Sequence, residues 1–166
     1  MNAKISSIFE FFDAWGDAIS EGSQDHLSVL GNLNDPEALA LCAMLTFSWG
    51  DHMAEKEKAA EVLVETALSG NKSAFRIIWL SCRMGNYFTL KAMRLGIKEK
   101  LYRDILMQMV EEHQLFIGEI AIESLREGGG LDYEPVRDFL GKVVHQEEQP
   151  EEVKKAAKQA LETWQG

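Results

Sequence analysis

Apolar residues recur at three- and four-residue steps along almost the whole chain, and that spacing restricts it to packed α-helices. In the first segment Ile5, Ile8, Phe9, Phe12, Trp15 and Ile19 form one stripe, with Lys4, Glu10, Asp13, Asp17 and Glu21 mostly opposite it. Only three prolines interrupt 166 residues, so few positions force a helix to break. Strand signals are nearly absent. Few β-branched runs alternate with polar residues, and no Asn-Gly or Asp-Gly hairpin turn occurs.

The breaks that do occur divide the chain into short helices. Gly22-Ser23 ends the first, and Ser23 can cap a short one carrying Leu27, Val29 and Leu30. Asp35-Pro36 combines an N-cap side chain with a proline suited to the first turn, opening a helix to about residue 49. That helix is apolar nearly all round, so other helices are expected to surround it. Further helices are expected over residues 54–69, burying Ala59, Leu63 and Ala67, and 73–84, burying Ala74, Ile77, Ile78 and Cys82. Each stops at a Gly-Asn pair, Gly70-Asn71 and Gly85-Asn86, where glycine accepts a left-handed backbone and asparagine can cap the next helix. A short helix reaches Leu95-Gly96, and longer ones follow over 98–113 and 115–127. Gly128-Gly129-Gly130 is the strongest break. Beyond it lie helices over 133–145 and after Gln149-Pro150, the last burying Val153, Ala157, Ala160 and Trp164.

About eight to ten helices with short connections predict an all-α fold in one domain over residues 1–166. It is either an orthogonal multi-helix bundle or a short α-solenoid of helical hairpins. Over residues 54–113 the Gly-Asn spacing resembles ankyrin or HEAT-type repeats. The Thr-Pro-Leu-His signature of ankyrin is missing, and fifteen residues make one helix plus a turn. That resemblance implies architecture and no function.

Two cysteines, Cys42 and Cys82, in apolar surroundings and without a CxxC partner predict a reduced, cytoplasmic setting. Acidic residues arrive too early for a signal peptide. The most apolar window, residues 38–47, has ten residues, about half of what a bilayer crossing requires, so no membrane contact is expected.

Recognisable catalytic machinery is missing. There is no GxxxxGK[ST] loop, no GxGxxG after a strand, and no GxSxG elbow. The residues three before His26, His52, His113 and His145 are Ser23, Trp49, Val110 and Lys142, so no Glu-x-x-His pair can hold a di-iron centre. No catalytic residue, cofactor or metal is predicted. Glu111, Glu112 and His113 with Glu119 and Glu123 form the densest ligand-type cluster, and a solvated helix face explains it. Cys82 lies beside Arg83 yet shares its stripe with Ile78, which favours core packing for both thiols.

Charge is the most informative remaining feature. Residues 1–51 carry one base and eight acids, and residues 52–71 two bases and four acids. Residues 72–103 carry eight bases against Glu99 alone, and residues 104–166 six bases and fourteen acids, within a net charge of −10. Part of this pattern is internal pairing. Beyond that, an acidic surface fits a basic protein partner. Alternatively, Lys72, Arg76 and Arg83, with Phe75, Trp79 and Tyr87 nearby, hold RNA, DNA or phosphate, although the net charge opposes nucleic acid.

In size, acidity and helical content the chain resembles bacterial toxin-immunity and inhibitor proteins. The resemblance implies a non-enzymatic protein that neutralises a cationic partner such as a nuclease toxin by covering its active site. It rests on no residue motif, so no functional residue is carried over. Glu111, Glu112, Glu119 and Glu123 are the candidate contacts, mimicking phosphates before a basic cleft. Asp13, Asp17 and Glu21, or Glu147, Glu148, Glu151 and Glu152, are competing surfaces. The other readings are a helical-repeat adaptor binding through a groove, and an enzyme assembled from scattered residues around His113 or His52.

Overall fold

A computed structural model describes residues 36–47, 53–112 and 116–164. The expected helices before residue 36, and the Asp35 cap, lie outside the described residues. Among those described, eight α-helices and no strand occur. They are α1 Pro36–Phe47, α2 Met53–Leu68, α3 Lys72–Arg83, α4 Tyr87–Ala92, α5 Lys100–Glu112, α6 Phe116–Glu127, α7 Glu134–His145 and α8 Glu151–Thr163. Two 3-10 turns, Met93–Gly96 and Gly130–Asp132, follow α4 and α6. The all-α multi-helix fold read from the sequence is the fold observed.

Both Gly-Asn pairs build the same joint. Gly70 and Gly85 have positive φ values of 98° and 73°. Around the first, Gly70 N–H donates to the Ala67 carbonyl at 3.0 Å and Asn71 N–H to Thr66 at 3.3 Å. Around the second, Gly85 N–H donates to Cys82 at 2.9 Å and Asn86 N–H to Ser81 at 3.0 Å. This is the Schellman pattern, which satisfies carbonyls orphaned at a helix end. Each asparagine then turns its side chain forward as an N-cap: Asn71 Oδ1 accepts from Ala74 N–H at 3.0 Å, and Asn86 Oδ1 from Thr89 N–H at 2.9 Å. Two residues thus close one helix and open the next.

The chain divides into two units, Met1–Leu80 and Ser81–Gly166. In the first, α1 packs on α2. Leu39, Cys42 and Leu45 are buried, as are Ala59, Ala60, Leu63 and Val64 of α2. The all-round burial expected of α1 does not hold, because Met44 and Phe47 are exposed. Ala67 and Ile77 are only half-buried, whereas Ala74, Ile78 and Cys82 are buried as expected.

In the second unit α6 is the hub. It packs against α4, α5 and α8, while α7 packs on α8 and less extensively on α5. Consecutive helices pair as hairpins, α5 with α6 and α7 with α8. Alternate helices α4, α6 and α8 form a row, the pairing expected of stacked hairpins. Gly118, Ala121 and Ser124 are buried on α6, and Ser124 Oγ donates to the Leu90 carbonyl of α4 at 2.9 Å. Ile120, Ile122 and Leu125 complete its buried surface, since a hub helix must be apolar on more than one face.

Trp164 departs from its expected burial. It is 38% exposed, follows the last turn of α8, and lies under the Arg137 guanidinium at 4.3 Å from the ring centroid. Tryptophan is amphipathic enough to be held by a stacked cation at a surface.

Candidate protein-binding site

The four carboxylates singled out from the sequence separate into two pairs. Glu111 and Glu112 end α5 and are exposed. Glu112 meets Arg83 at 3.0 Å, so one candidate anion and one candidate cation are spent on each other. That pair is about two-fifths exposed on each side and contributes little net stability. Glu119 and Glu123 are four residues apart on α6 and look across to α8. They line a groove of about 480 Å³ whose walls include Ile122 and Arg126 of α6 and Ala156, Gln159, Ala160 and Thr163 of α8. Glu111 and Glu112 take no part in it.

The groove owes its form to residue size. On α8 the facing positions are small or uncharged, which keeps two packed helices from closing over the α6 carboxylates. Among the described residues Arg126 is the only base lining the groove. Its guanidinium stands 4.0 Å from Glu123 and 3.9 Å from Glu127, longer than the contacts of a well-formed charge-assisted hydrogen bond. Among the described residues Glu119 has no ion-pair partner.

Three residues before Glu119, and outside the groove lining, Phe116 is 61% exposed. Its ring stacks on Tyr87 of α4 at a 6.1 Å centroid separation and 16° between planes. Tyr87 is in turn held edge-on by Phe88 at 5.2 Å, and Lys91 Nζ lies 5.9 Å from the Tyr87 centroid. A large aromatic ring fixed in place at the surface is a feature of binding anchors. Nothing in the apolar periodicity of residues 115–127 distinguished Phe116 from a core residue.

The basic segment is largely occupied within the fold. Besides Arg83 on Glu112, Arg94 donates to the Lys91 carbonyl at 2.9 Å. Arg103 donates to the Ile97 and Lys98 carbonyls and lies 3.7 Å from the Tyr133 ring centroid. Lys100 pairs with Asp104 at 2.6 Å. Lys72 and Arg76 are exposed in the first half of α3, and neither has a carboxylate partner among the described residues.

No protein-family model matches this chain. No curated protein and no solved structure is significantly similar to it either.

Both thiols are free and buried. Burial pushes the Cys42 thiol up to about 12 and the Cys82 thiol up to about 12, from an ordinary 9.0, because a thiolate would lose its water. A thiol in that state is no nucleophile at neutral pH. Burial also raises Tyr102 to about 12, with smaller contributions from Glu99 and Cys82. Among the described residues no three of His, Cys, Asp and Glu converge as metal ligands. No helix among them is long and apolar enough to cross a membrane. His26, His52 and His113 lie outside the described residues, and His145 is exposed.

Proposed function

We propose that this chain is a non-enzymatic binding protein of the cytoplasm that engages a basic protein, and that it acts as an immunity or inhibitor protein toward a cationic toxin such as a nuclease. The observation that carries this reading is the α6–α8 groove. Glu119 and Glu123 face into it, and a single loosely held arginine offsets them. Glu119 is half-buried and Glu123 about half exposed, so the pair adds a local negative charge at the mouth of the groove that attracts cations. The net charge of −10 adds long-range attraction to any basic partner.

The test is calorimetric titration of the chain with its cationic partner, recovered by affinity capture from the source cell, at low and high salt. Affinity should fall steeply with salt, the double variant Glu119→Gln/Glu123→Gln should lose most of it, and the partner's nuclease activity should be blocked only by the parent chain. Salt-insensitive binding would favour the adaptor reading instead. That second reading is supported by the exposed ring of Phe116. For a phosphate-binding role of Lys72, Arg76 and Arg83, Arg83 is engaged by Glu112, which leaves Lys72 and Arg76 exposed in the first half of α3 to support it.

A further inference from the structure

We draw no further inference here: the strongest candidate, the aromatic surface patch that Phe116 of α6 makes with Tyr87 of α4, is an unpartnered face, and nothing in the structure shows what covers it.

Discussion

Thr89 is wholly buried on α4, and its side-chain hydroxyl has no hydrogen-bond partner among the described residues. An unpaired buried hydroxyl costs free energy that a methyl group of the same shape does not. Thr89→Val should therefore raise stability by about 1 kcal/mol, visible as a higher urea midpoint with an unchanged slope. A lower midpoint would mean that the hydroxyl is satisfied after all. The neighbouring Ser124 differs from Thr89 because its hydroxyl reaches the Leu90 carbonyl. Sequence alone does not separate the two residues. Both are small hydroxyl side chains on apolar stripes, and which of them finds an acceptor depends on how α4 lies against α6.

At the scale of the element, the Gly-Asn joints were the most legible part of the chain. Glycine's left-handed backbone and asparagine's capping carbonyl are local properties, and both joints form as their residues dictate. Asn71→Ala and Asn86→Ala should each cost about 1 kcal/mol through loss of the cap. Asn86 is the costlier because it is 5% exposed and water cannot replace its contact with Thr89 N–H. Denaturant melts of the two variants give the order directly, and equal losses would count against that role for burial. Most helix ends among the described residues also fell within a residue or two of their expected positions, because capping is read within one turn; the short helix expected to reach Leu95-Gly96 instead ends at Ala92 and passes into a 3-10 turn. α1 was misread for the opposite reason. Its composition is apolar on every side, but exposure of Met44 and Phe47 depends on what packs around them. The same limit hid Phe116, whose spacing fits a core stripe while its ring stands at the surface on Tyr87.

Across the whole molecule, the buried thiols and Tyr102 couple stability to alkaline pH. Each is held neutral by burial, so its folded value lies above its unfolded one. Stabilisation from such a group is complete below the unfolded value, 9.0 for the thiols and 10.0 for the phenol, and is lost as pH rises toward about 12. The thermal midpoint should be level from neutral pH to about pH 9 and then fall, with a shallower fall in Cys42→Ala/Cys82→Ala. Both thiols should resist disulfide reagents in the folded chain and react on unfolding. Rapid labelling of the native protein would contradict their burial.

Charge is where residue order and tertiary structure part most clearly. The sequence by itself determined that the chain is helical, where most helices start and stop, and that its bases gather in residues 72–103 within an acidic whole. Those properties follow from backbone preference, capping and counting, which need no distant neighbour. Only the tertiary structure decided that Arg83 is spent on Glu112, that Arg103 is spent on carbonyls and Tyr133, and that Glu119 and Glu123 open onto a groove against α8. An ion pair or a groove depends on distances between side chains far apart along the chain, and helix packing alone sets those distances.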